Sequence, residues 1–136
     1  MQLRQLETGA LVDGLADALA GRGPVAPACE PRLAAALALD EPVTEAGAAL
    51  VVPTSGTTGE PRAVVLTADA ITFSATATHD RLGGPGGWVC ALPTQHIAGL
   101  MTVARAVVAG TGVRFARGDL SDLPVPGERT YLSLVV

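Results

Sequence analysis

Residues 51–66 read VVPTSGTTGEPRAVVL. Val51 and Val52 close an apolar run that begins at residue 48. Thr54, Ser55, Gly56, Thr57, Thr58 and Gly59 follow, and Glu60-Pro61-Arg62 leads into a second apolar run, Val64-Val65-Leu66. Short, wholly apolar runs rich in β-branched residues read as strands, so the stretch is a strand, a loop and a second strand. A loop of small hydroxyls and glycines can wrap a phosphate, because its backbone approaches the anion closely and its N–H and O–H groups donate to the oxygens. Arg62 adds a fixed charge and a forked donor. The nucleotide-binding pattern Gly-x-x-x-x-Gly-Lys-Ser/Thr is excluded: Gly56 and Gly59 are too close, no Lys follows, and the residues after Pro61 favour a strand where that pattern requires a helix. A hairpin loop with no ligand has the same composition, so the residues alone leave both readings open.

Working outward, residues 48–53 read as a buried strand, with 63–67 as its antiparallel neighbour or a sheet edge. Thr67 is a suitable N-cap for a helix over Ala68–Leu82, with Asp69 in its first turn to complement the dipole. Residues 83–87 (GGPGG) end it in a loop. Strands follow at 88–92, 113–116 and 131–136. An apolar helix over Ile97–Ala109 lies between the first two, and residues 118–127 form an Asp- and Pro-rich loop. Upstream, residues 13–20 and 32–39 are Ala/Leu-rich and helix-prone, separated by the turn at 21–24 and by Pro27 and Pro31. The expected organisation is one domain: a helical lead-in over 1–47 and a core over 48–136. Strands alternating with helices predict a layered α/β fold with a mostly parallel sheet flanked by helices.

The chain has 136 residues, enough to bury a core, and its 49% hydrophobic content argues against disorder. Aromatics are only 3%, so the core must be mostly Ala, Val and Leu. A net charge of -4 provides no basic footprint for nucleic acid or an anionic membrane. No apolar run approaches the length of a membrane span, and the N-terminus MQLRQLETG lacks the apolar region of a signal peptide. Cys29 and Cys90 read as buried, reduced thiols of a cytoplasmic protein.

Two motifs carry a resemblance. TSGTTGEPR (residues 54–62) is similar to the phosphate-binding signature of the adenylate-forming enzymes: acyl-CoA synthetases, peptide-synthetase adenylation domains and luciferases. Arg62 stands where Lys is usual. Downstream, ALPTQHIAGL (residues 91–100) resembles the Leu-Pro-x-x-His-x-x-Gly motif of the same superfamily. The intervening THDRLGGPGGWVCALP and the following HIAGLMTVARAVVAGT look most like o-succinylbenzoate–CoA ligases of menaquinone biosynthesis.

The resemblance implies a reaction in two halves. A small-molecule carboxylate attacks the α-phosphate of ATP to give acyl-AMP and pyrophosphate, and the thiol of coenzyme A then attacks the acyl-AMP. It implies that Thr54, Ser55, Gly56, Thr57, Thr58, Gly59 and Arg62 meet the ATP phosphates, with Mg²⁺ bridging them. It also implies that His96 and Gly99 border the acyl pocket, with His96 a candidate to orient the carboxylate and Gly99 admitting the acyl group close to the helix. Without the motif, a His at a helix start reads as a packed or capping residue. His79 reads as a charged residue favoured by a helix end, and Trp88 as core or pocket wall.

The family's later motifs, for adenine and Mg²⁺, for ribose and for the adenylating Lys, are not in these residues; the chain contains no Lys at all. Arg117-Gly118-Asp119 has the wrong context for the ribose motif. The resemblance therefore implies an N-terminal portion with little turnover alone. Two other readings stay open: a ligase for a different aryl or fatty acid, and an interaction module or half of a split protein. In the latter, the apolar run at 132–136 would present an open sheet edge through which the chain dimerises.

Overall fold

A computed structural model describes residues 1–55, 57–116, 120–121 and 129–135. Gly56, Arg117-Gly118-Asp119, most of the 118–127 loop and Val136 lie outside the described residues. Among the described residues, seven strands and four α-helices follow one another as β1 (Arg4–Leu6), α1 (Leu11–Leu19), β2 (Val25–Pro27), α2 (Pro31–Ala36), β3 (Ala48–Thr54), β4 (Arg62–Thr67), α3 (Ala68–Leu82), β5 (Gly87–Cys90), α4 (Ile97–Ala109), β6 (Val113–Phe115) and β7 (Thr130–Ser133), with a 3-10 turn at Thr8–Ala10.

The strands form two sheets where one was expected. The first runs β1-β2-β3-β4 and the second β6-β5-β7. β1, β2 and β3 are parallel and β4 returns antiparallel to β3. β5 is parallel to both of its neighbours. α1 and α3 pack on the first sheet, α4 packs on the second, and α4 lies against α1 and α3, so these three helices form a layer between the sheets.

The apolar run at β3 follows from this layering. Ala49, Leu50 and Val52 join Leu11 and Leu15 of α1, Ile71 of α3 and Leu100, Val103 and Ala104 of α4 in the main core. Val51 points the other way, into a second cluster with Leu3, Ala26 and Leu39, against which Ala34 of α2 also packs. A strand covered on both faces cannot alternate polar and apolar residues. The core is Ala, Val and Leu with few aromatics, as the composition required.

Helix ends match the sequence where the cap chemistry is local. Thr67 Oγ1 accepts from the Ala70 N–H at 3.2 Å, and Gly83 closes α3 at φ 93°. α4 has the expected bounds and ends on Gly110 at φ 68°. The helix expected over 32–39 stops at Ala36 instead. Ala38 takes φ 51°, and the Leu39 N–H bonds back to the Ala34 carbonyl at 2.9 Å. That turn drops Leu39 into the second cluster, where it is 1% exposed, and burial outweighs continued helix.

The 1–47 segment is not a purely helical lead-in, since it supplies β1 and β2, the first sheet's outer and second strands. Each is three residues long, too short for a periodicity, and exists through its parallel pairing. β7 ends at Ser133, short of the expected 131–136, and lies at the edge of the second sheet; Leu134 and Val135 beyond it are exposed.

Candidate functional site

The hydroxyl-rich loop joins β3 to β4. Its stem is an antiparallel pair with Thr54 opposite Arg62 and Pro53 opposite Ala63. Thr54 Oγ1 also donates to the Arg62 carbonyl at 3.4 Å, closing the mouth of the loop. Ser55, Thr57, Thr58, Gly59 and Arg62 are exposed, and Gly59 uses φ 80°, which a side chain would resist. The element after the loop is a strand, as the residues indicated.

The second motif leaves the carboxyl end of β5. Residues 93–96 turn tightly, with the His96 N–H donating to the Pro93 carbonyl at 3.3 Å. His96 is the N-cap residue of α4, yet its side chain makes no cap hydrogen bond and is exposed. The packed or capping role is therefore not taken, and the imidazole is free to meet a ligand.

Gly99 makes a different close approach from the one the resemblance implied. It is buried, and a β-carbon there would collide with the Pro93 and Leu92 carbonyls. The first turn of α4 thus seats directly on the backbone of the Leu92–Pro93 bend, and Gly99 fixes the turn that carries His96. Cys90 supports the same bend: its thiol donates to the Leu92 carbonyl at 3.4 Å and reaches the Gly99 carbonyl at 3.7 Å. Burial pushes the Cys90 thiol pKa up, which keeps the donor protonated.

A largely apolar hollow of about 210 Å³ opens between β4, α3 and α4, lined by Leu66, Ala70, Ile71, Ser74, Met101 and Ile97, the residue after His96. Ile97 and Met101 are one helical turn apart, the one signal in the sequence that could have announced this wall. The other lining residues come from elements whose meeting only the tertiary structure decides.

The second motif touches the side of the first sheet at which its parallel strands end. β1, β2 and β3 are parallel, so their carboxyl ends lie together, and the hydroxyl-rich loop springs from the last of them. Thr8, just past β1, is hydrogen-bonded to Thr94 in the turn after β5, at 2.8 Å between the hydroxyl oxygens. The turn before His96 therefore contacts the β1 end of that side, two strands across from β3, which carries the loop. Carboxyl ends of strands are where open α/β sheets bind ligands.

The profile of the AMP-binding enzyme family matches residues 5–128. This chain belongs to that family. It is 42% identical over 140 aligned residues to a probable 2-succinylbenzoate–CoA ligase of Mycobacterium tuberculosis, covering 94% of this chain and 36% of the relative. It is 37% identical over 94 residues to a 2-succinylbenzoate–CoA ligase of Listeria monocytogenes, covering 65% of this chain and 20% of the relative. Among solved structures, o-succinylbenzoate CoA synthetase (MenE) of Bacillus subtilis, in complex with the acyl-adenylate intermediate OSB-AMP, is 27% identical with a TM-score of 0.47, covering 81% of this chain and 34% of that one. The chain thus spans about a third of the length of the mycobacterial relative.

His79 is not the charged helix-end residue that its position suggested. It is buried and accepts a hydrogen bond at Nε2 from the Trp88 indole N–H at 3.0 Å. Burial, then the Arg105 guanidinium, lower its pKa. Arg105 itself stacks over the Trp88 ring at 5.1 Å. Tyr131 packs on Trp88 with ring centroids 5.0 Å apart and donates to the Gly84 carbonyl at 2.6 Å. The glycine-rich loop is thus more than a connection, because it seats the entry to β7: Arg129 Nη1 donates to the Gly83 carbonyl, and a β-carbon on Gly86 would strike the Arg129 carbonyl. Among the described residues, no helix is long and apolar enough to cross a membrane.

Proposed function

We propose that these residues form the phosphate-binding and acyl-binding part of a cytoplasmic acid–CoA ligase whose carboxylate is 2-succinylbenzoate. The observation that carries the reading is the 42% identity, over 94% of the chain, to the probable 2-succinylbenzoate–CoA ligase of Mycobacterium tuberculosis. The geometry is consistent with it, since the loop is exposed at the end of β3, His96 is exposed and uncapped, and Ile97 next to it lines an apolar hollow.

In this reading Thr54, Ser55, Gly56, Thr57, Thr58 and Gly59 receive the β- and γ-phosphates of ATP. The exposed hydroxyls of Thr57 and Thr58 suit that role, and Arg62 at the stem opposes the anionic charge. Mg²⁺, bridging the phosphates, would supply further charge neutralisation. The loop offers several hydroxyl donors and one carboxylate, Glu60, too few oxygens to hold a metal by itself, so it fits the phosphate oxygens, with the metal carried by the nucleotide. The hollow takes the aryl ring, His96 orients the carboxylate for in-line attack at the α-phosphate, and Gly99 holds the turn that presents His96. The protein's contribution is mainly positioning and charge neutralisation. Coenzyme A is the second substrate. Because the chain spans 36% of the mycobacterial relative, turnover by these residues alone is expected to stay near background.

Saturation-transfer NMR tests the assignment. ATP with Mg²⁺ and 2-succinylbenzoate should each give transfer, and the latter should disappear in His96→Ala. Transfer from a fatty acid or plain benzoate but not from 2-succinylbenzoate would overturn the substrate. A pyrophosphate-release assay checks the turnover expectation.

A second reading has its own observation. β7 lies at the sheet edge, and Leu134 and Val135 beside it are 54% and 78% exposed. Unpaired edges recruit strands, so the chain would dimerise through β7. Light scattering that finds only monomer at high concentration would remove this reading.

A further inference from the structure

We propose that Thr8 and Thr94 act as a positioning clasp, registering the His96 turn against the sheet that carries the phosphate loop. The proposal rests on the acyl-site role of His96 given above. Thr94 is 4% exposed and is one of only three buried polar side chains among the described residues, with His79 and Thr102. The other two act within the body of the fold: His79 holds Trp88, and Thr102 bonds to the Ala98 carbonyl and to Ser133. Thr94 alone reaches across to the carboxyl edge of the first sheet, where Thr8 meets it at 2.8 Å across 86 residues of sequence.

The turn can transmit that contact. Its ends are rigid: the Cys90 thiol and the buried Gly99 pin Leu92 and Pro93 from within the second sheet's side. His96 is tied to Pro93 by its N–H and to Leu100 by its carbonyl. Packing of α4 on α1 and α3 sets the overall position of the turn, and the Thr8–Thr94 pair adds the directional contact between the turn and the first sheet. A hydroxyl pair fixes such a contact by direction and distance, which apolar packing between the same elements would not do. The 3-10 turn that bears Thr8 thus becomes part of the site, although it lies 46 residues before the phosphate loop's first threonine and carries no family motif.

The chain contains two histidines, so imidazole NMR resolves His96 against His79 as an internal control. Thr94→Val, close to isosteric, is expected to shift the His96 ring signal and leave that of His79 in place. It should weaken 2-succinylbenzoate binding about fivefold, the worth of one hydrogen bond. Thr8→Val should do the same, and the double variant should do no more than either single one, because the pair is a unit. Thr94→Ser should restore both readouts, which a purely space-filling role would not produce. Should Thr94→Val fail to fold, Thr8→Val and Thr94→Ser decide the matter. His96→Ala separates this clasp from the function it serves. If His96→Ala leaves binding intact, the acyl-site reading fails and the ring signal alone decides the clasp. If His96→Ala abolishes binding while both Val variants keep wild-type binding and an unmoved His96 signal, the clasp is overturned.

Discussion

Replacing His79 by Phe isolates the bond between α3 and β5. Phe keeps a ring of similar size beside Trp88 and Tyr131 but removes the Nε2 acceptor, stranding the indole N–H in the core. A buried donor left unsatisfied costs about 1–3 kcal/mol. At roughly 4 °C per kcal/mol for a chain of this size, the unfolding midpoint should fall about 4–12 °C at pH 8. The pH dependence follows from the same bond. Accepting from Trp88 requires an unprotonated Nε2. Burial and Arg105 hold the folded-state pKa of His79 below its ordinary value, with Asp80 pulling weakly the other way. The unfolded chain takes up this proton near pH 6.5, before the folded chain does. Between the two values the unfolded state binds more protons, so stability is full above about pH 6.5 and falls as the pH drops toward the folded pKa. Urea unfolding followed by fluorescence of Trp88, the sole tryptophan, reads both effects. The reasoning is refuted if His79→Phe is as stable as the parent at pH 8. It is equally refuted if the parent loses no more stability than the variant between pH 8 and pH 5.5.

Further outcomes follow from single contacts. Gly99→Ala places a β-carbon against the Pro93 carbonyl and should cost about 1–3 kcal/mol by calorimetry, while shifting the His96 imidazole signal. Thr67→Ala removes the α3 cap and should cost about 1 kcal/mol; an unchanged denaturation midpoint would show that the 3.2 Å bond contributes nothing. Arg62→Ala should weaken ATP binding about tenfold with little change in stability, because the side chain is exposed. Titration calorimetry at two salt concentrations checks that prediction, and Arg62→Lys should recover much of the loss.

Much of this protein is local chemistry and was legible without coordinates. Caps are local, so Thr67, Gly83 and Gly110 announced the ends of α3 and α4. The strand-loop-strand reading at 51–66 needed only the apolar runs and the hydroxyls between them, and the two motifs identified the family. Other features depend on neighbours distant in sequence. β1 and β2 are three residues each and exist because β3 pairs beyond them. The helix at 31–36 stops early because Leu39 has a core to enter. The His79 pKa is lowered because burial, and then Arg105 from α4, disfavour its charged form, and Trp88 arrives from β5 to donate to it, facts invisible in the surrounding Thr-His-Asp-Arg. The residues alone determined which motifs are present, since a hydroxyl-rich loop and a motif histidine are properties of short segments. Only the tertiary structure decided how those segments are arranged, because parallel pairing gathers strand ends on one side of the first sheet and a hydroxyl pair between Thr8 and Thr94 joins the turn after β5 to it.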